Sequence, residues 1–259
     1  MGMWQIVTAA WRTTLAGLPV VGVVAAVNLV LGLIALPFVA GAGGQVSGPQ
    51  AAVGLLLVLV QFFLLPFIQA GCVSFAIDRL KGTTSPALAS FLQGAKRLYV
   101  KLLGFEALTV ALLILLAFVS ILLFGLSMLP NIQPGAGVAL ALVAAVPVSI
   151  GLYVLLLILS LGPVAIAVEG LGVFAAVKRA LAVGRTAVGR LLLLTLGILA
   201  TLIPVFLLTS LPDLLDRLGI LLGMGNVVFA LLLQSGAGAL SMVLFIVAYT
   251  QLFRQRTNL

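Results

Sequence analysis

Glu106 stands five residues after Lys101 in the run "YVKLLGFEALTVALLILLAF", with mostly apolar side chains beyond it. A carboxyl group in such a setting could relay a proton, hold a cation, or meet a lipid headgroup. It could equally be an edge residue, salt-bridged to Arg97, Lys101 or Arg190. Four amides, Asn28, Gln61, Gln69 and Gln234, sit in similar apolar runs. Amides can line a polar path or tie helices together by hydrogen bonds, and the second role is the reading preferred here. The candidate polar path is Glu106, Asn28, Gln61 and Gln234. A second concentration of charge is "GPVAIAVEGLGVFAAVKRALAVGR", residues 162–185, which holds Glu169, Lys178, Arg179 and Arg185.

Other chemistry is restricted by what the chain lacks. It has no histidine, five acidic residues and one cysteine, Cys72. Without histidine there is no Ser-His-Asp triad, no Cys-His pair and no histidine-ligated zinc. Cys72 has no partner for an internal disulfide and reads as a small buried hydrophobe. Asp213 and Asp216, three apart, would share a helix face, but two carboxylates fall short of the six or so oxygens that calcium takes. No catalytic set, metal site or cofactor is expected, and an intramembrane enzyme is the least favoured reading.

The elements that carry these residues follow from composition. The 259-residue chain is 64% hydrophobic and 7% charged, whereas a soluble domain is about one-quarter charged. Lipid must therefore cover most of its surface. Six segments are long enough to cross a bilayer: 16–40, 51–77, 102–128, 138–168, 190–211 and 220–253. They are helices, because no open sheet satisfies its backbone in lipid. The apolar run after Arg12 is far longer than a signal-peptide core and reads as a retained first span. Pro147, Pro163 and Pro204 fall within spans, and Gly219 and Gly223 form a small-xxx-small pair; such residues permit kinks and close helix approach.

The connections alternate in charge. Residues 41–50 and 129–137 carry none, and 212–219 carries two aspartates and Arg217. The other twelve of the thirteen basic residues fall on the opposite side. The positive-inside rule then places both termini and the two long loops in the cytoplasm of a multi-pass protein of the cell membrane. The net charge of +8 is thereby explained without nucleic acid. Lys96, Arg97, Lys101, Lys178, Arg179, Arg185 and Arg190 are the candidate contacts to anionic headgroups.

The cytoplasmic segments have helical periodicity. Ser85 can cap and Pro86 suits a first helical turn. Leu88, Phe91, Leu92, Ala95 and Leu98 then share one face, with Gln93, Lys96 and Arg97 on the other. Phe174, Val177 and Leu181 form a similar stripe among Lys178, Arg179 and Arg185, and Met3, Ile6, Val7 and Ala10 do so before Arg12. These read as three amphipathic helices lying at the interface. Asp78 and Glu169, each at the end of an even-numbered span, are expected to cap the helix that follows. Arg12, Arg97 and Arg185 occupy matching places in "TAAWRTTLAG", "QGAKRLYVKLLG" and "AVGRTAVGRLLLLTLG". The chain thus reads as one membrane domain, 1–259, built from three tandem parallel units, 1–78, 84–168 and 172–253.

Residues 162–197 carry a resemblance. Pro163, the "EGLG" turn from Glu169 to Gly172, the basic pair Lys178–Arg179 and Arg190 before "LLLLTLG" resemble the membrane domain attached to some bacterial glycerophosphoryl diester phosphodiesterases, and its stand-alone six-span relatives. Relatives often have serine where Ala180 stands and an aromatic near Val188, and both are missing here. Phosphodiesterase activity in fused relatives belongs to a separate soluble barrel, so the resemblance implies membrane architecture rather than that chemistry. The expectation is an all-α, six-span, non-enzymatic protein that binds lipid or a protein partner, a second copy included. A transporter of a small solute, ion or lipid is the alternative.

Overall fold

The computed structural model describes residues 2–40, 48–127, 134–217 and 224–257. Gln45, Gln133, Gly219 and Gly223 lie outside the described residues. Those described form eight α-helices and no strand: α1 (Met3–Ala16), α2 (Leu18–Ala40), α3 (Gly48–Leu80), α4 (Ala87–Ser127), α5 (Pro134–Glu169), α6 (Val173–Thr209), α7 (Leu211–Arg217) and α8 (Met224–Thr257). Six of them, α2, α3, α4, α5, α6 and α8, are long and apolar enough to cross a membrane. The protein is an all-helical, multi-pass membrane protein.

The amphipathic segments at 87–101 and 173–189 are not separate helices. Each is the N-terminal part of one unbroken helix, α4 or α6, that continues into the span. At 1.5 Å per residue the 41 residues of α4 extend about 60 Å, roughly twice the hydrocarbon thickness. Only the first segment is separated, because Pro19 has no N–H to give the Leu15 carbonyl and would clash with it. The chain breaks at Gly17, whose N–H bonds to the Thr13 and Thr14 carbonyls. Neither α4 nor α6 has a proline near the matching point. Pro66, Pro147, Pro163 and Pro204 sit inside helices that run on past them.

The buried faces differ in part from the expected stripes. In α4, Phe91, Ala95 and Leu98 are buried, while Leu88 and Leu92 are exposed. In α6, Ala176, Ala180, Val183, Gly184 and Ala187 are buried, and Phe174 is 73% exposed. A face of alanine and glycine lets neighbouring helices approach closely, which large side chains would prevent. In α1, Ile6, Val7 and Ala10 are buried as their spacing suggested.

Packing is cyclic. Helix α3 lies along α4, α5 along α6, and α8 along both α1 and α2. The first two approaches use small residues: Gly71 faces the Phe91 ring and Gly94 faces Ser74 between α3 and α4, and Gly184 faces Leu157 between α5 and α6. A second set joins the α1–α2 break to α3, α4 to α5, and α6 to α8. Gly17 faces the Phe75 ring, Gly162 faces the Phe105 ring, and Thr195 bonds the Tyr249 hydroxyl at 3.0 Å. Phe75, Gly162 and Tyr249 are spaced 87 residues apart (75 to 162 to 249). Buried residues crowd the half of the bundle nearest the 81–86 and 170–172 connections, here termed the basic end. Toward the opposite end large side chains such as Leu56, Ile114, Ile121, Val146 and Leu207 are exposed, a surface only lipid can cover.

A side chain at Gly162 would run into the buried Phe105 ring. Gly162→Leu is therefore expected to lower thermal stability in detergent by about 1–3 kcal/mol. The same change at Gly189, where a Cβ meets nothing within 4 Å, should leave the melting curve in place. Phe105→Ala should recover part of the Gly162→Leu loss, and strict additivity of the two would contradict this contact.

Candidate functional site

The α5–α6 turn is held by two charge-assisted contacts. Helix α5 ends at Glu169, and Gly170 takes a left-handed conformation with φ of 68° that a side chain would strain. Gly172 precedes α6 with no side-chain cap. Glu169 does not bond the free amides of α6, as its position suggested. Its carboxylate instead accepts from Arg179, with Nε at 2.9 and 3.0 Å from the two oxygens and Nη2 at 2.8 Å from Oε1. The Lys101 ammonium donates to the Gly170 carbonyl at 2.8 Å, so α4 is tied to the same turn. At the α3–α4 turn the backbone carbonyl of Asp78 accepts from the Thr83 N–H, and Gly82 has φ of 75°. Ser85 pairs with the Ser90 hydroxyl at 2.7 Å rather than capping α4 through a backbone amide.

Two cavities adjoin in the packed half. One, about 210 Å³, lies between α3, α5 and α8, and Gln69, Ser160 and Tyr249 supply its polar side chains. The other, about 230 Å³, lies between α5, α6 and α8 and is walled mainly by leucines. Ser160 and Tyr249 border both. The Tyr249 hydroxyl is fixed by Thr195 of α6, whose own hydroxyl donates to the Leu191 carbonyl. Ser160 donates to the Leu156 carbonyl at 2.6 Å. Gln69 is half-buried at the cavity wall and bonds none of the described residues.

The four residues of the expected polar path are distributed over α2, α3, α4 and α8, and none of them lines either cavity. Asn28 is half-buried facing Gly238, with its Nδ2 3.8 Å from where a Cβ would stand. Gln61 and Gln234 are exposed. Glu106 is half-buried, and its Oε2 is screened from solvent with no hydrogen-bond partner among the described residues. None of the expected edge partners pairs with it: Arg97 and Arg190 are exposed, and Lys101 holds the Gly170 carbonyl. Among the headgroup candidates Lys101 and Arg179 already have protein acceptors. Lys96, Arg97, Lys178, Arg185 and Arg190 are exposed.

Sequence reasoning treated Gln69 as one helix-tying amide and overlooked Ser160, Thr195 and Tyr249. No residue type or local spacing in the sequence singled out Ser160, Thr195 or Tyr249, since each is a polar residue in a mostly apolar run. No family model matches the chain, and no curated protein or solved structure matches it. The resemblance to the phosphodiesterase membrane domain therefore rests on residues 162–197 alone.

The Glu169–Arg179 pair is only partly shielded, with 15% and 41% of the two side chains exposed. A double-mutant cycle of Glu169→Ala and Arg179→Ala should give a coupling of roughly 0.5–1 kcal/mol. It should shrink at high salt, and zero coupling at low salt would remove the pair from the turn's stability.

Proposed function

We propose that this is a non-enzymatic membrane protein that binds anionic phospholipid at its basic end, with that end and both termini in the cytoplasm of a cell-membrane protein. The observation that carries this reading is a set of five cations, Lys96, Arg97, Lys178, Arg185 and Arg190, that are exposed and bond none of the described residues. Exposed Leu88, Leu92 and Phe174 lie on the same stretches of α4 and α6. Cations beside bare apolar side chains suit the headgroup boundary, where each cation contributes about 1 kcal/mol toward anionic lipid. The recurrent glycine–aromatic and threonine–tyrosine contacts support three tandem units as the framework that repeats this surface.

A transporter is the second reading, favoured by the unpartnered Glu106 oxygen in the third span. The two readings separate on Glu106→Gln. Under the lipid-binding reading, solute flux across vesicles stays at the wild-type level, and a large loss of flux at normal expression would favour transport.

Native mass spectrometry of the full chain, purified from equal phosphatidylglycerol and phosphatidylcholine, tests the proposal directly. Wild type should retain phosphatidylglycerol preferentially. Replacing the five cations by glutamine should reduce that preference at least roughly tenfold, and an unchanged preference would refute it. Single cysteines at positions 96 and 178 should label from the side opposite to one at 133. Labelling of 96 and 133 from the same side would overturn the orientation.

A further inference from the structure

We infer that the two cavities meeting at Ser160 and Tyr249 form one binding site for an uncharged, single-chain amphiphile. Its hydrogen-bonding head would lie between α3, α5 and α8, and its chain between α5 and α6. This site is distinct from the cationic surface and does not depend on it.

The head cavity combines apolar walls with a few polar groups, as small-molecule sites do. Its apolar wall includes Val73, Pro163 and Phe245. Against it stand three hydrogen-bonding side chains, Gln69, Ser160 and Tyr249. Gln69 offers two donors and an acceptor, and none is engaged by the described residues. An amide left bare beside apolar walls loses the free energy of its missing bonds, so a bound group that supplies them is favoured. Pro163 adds an acceptor. Lacking an N–H, it gives no hydrogen bond to the carbonyl of Leu159, and Leu159 also lines this cavity.

The charge of the ligand follows from the walls. No aspartate, glutamate, lysine or arginine lines either cavity. An ion taken from water into this site would have no counter-charge and would pay heavily in desolvation. A hydroxyl or amide head, able both to donate and to accept, suits Gln69 and the hydroxyls.

The chain's place follows from the second cavity. Leu157 and Leu191 are buried at its floor, while Leu156, Leu192 and Leu196 are more than half exposed at its rim. The rim belongs to surface that lipid covers, so a ligand already dissolved in the bilayer can enter sideways. The Tyr249–Thr195 hydrogen bond holds the tyrosine ring where the two spaces meet. It fixes the head end of the site against the chain end.

The test is scintillation-proximity binding of tritiated 1-decanol to the full chain in detergent, with decane and decanoate as competitors of equal chain length. Saturable binding is expected, displaced by unlabelled decanol and much less by decane or by decanoate at neutral pH. Gln69→Leu should weaken it about tenfold by removing hydrogen bonds to the head. Leu192→Trp should weaken it by filling the chain cleft. Ser160→Ala provides a smaller change should either variant fold poorly, and thermal unfolding reports folding for all three. Replacing Lys96, Arg97, Lys178, Arg185 and Arg190 by glutamine should leave decanol binding unchanged even where it abolishes phospholipid preference. Non-saturable binding to wild type, equal competition by decanoate, or unchanged affinity in folded Gln69→Leu and Leu192→Trp variants would each overturn the site.

Discussion

The structure depends on close approach between helices in a solvent that gives them no hydrophobic reason to associate. Lipid is as apolar as leucine, so helices in a bilayer gain from contact mainly through dense packing and a few hydrogen bonds. This protein concentrates both in one half. Gly71 receives the Phe91 ring, Gly94 the Ser74 side chain, Gly162 the Phe105 ring and Gly184 the Leu157 side chain. Each pairing sets a neighbour's side chain into the space left by a missing one. Toward the other end such pairings thin out, with Gly151 against Leu116 and Gly32 against Leu231 among them, and large apolar side chains turn outward.

That asymmetry explains where polar groups can be kept. A buried hydroxyl or amide needs fixed partners, and fixed partners need rigid helices. Thr195 and Tyr249 find each other in the packed half, and Trp11 of α1 donates to the Thr201 hydroxyl at 3.0 Å. The α5–α6 turn is held from two sides, by Arg179 on Glu169 and by Lys101 on the Gly170 carbonyl. These contacts hold α4, α5 and α6 in register beneath the cavities. Basic residues are therefore divided in use. Lys101 and Arg179 brace the α5–α6 turn from within, and Lys96, Arg97, Lys178, Arg185 and Arg190 remain on the surface.

Much of the architecture was legible because the bilayer constrains it so strongly. Apolar runs of sufficient length, separated by short polar connections, allow little except alternating helices. What was harder to read was which face of each helix meets protein. In a soluble protein the apolar face is the buried face. In a membrane both faces can be apolar, so Phe174 could look like a core residue and be 73% exposed, while Ala176 and Ala180 are buried. Hydrophobic periodicity loses its usual meaning there, and small residues carry the packing signal instead. The second and third surface helices were misjudged for a related reason: nothing near Leu102 or Arg190 stops a helix as Pro19 does after Gly17.

By itself the sequence determined the class, the six spans and the gathering of twelve of the thirteen basic residues into alternate connections and the termini. Each follows from the cost of bare backbone or charge in hydrocarbon, a cost that composition alone records. Tertiary structure decided that Glu169 meets Arg179 rather than the start of α6. It also decided that Lys101 serves a turn rather than Glu106, and that Gln69, Ser160 and Tyr249 share one space. Those three residues lie 91 (69 to 160) and 89 (160 to 249) positions apart in the chain. Local periodicity has no memory over such a distance. Only the packing of α3, α5 and α8 against one another brings them within reach.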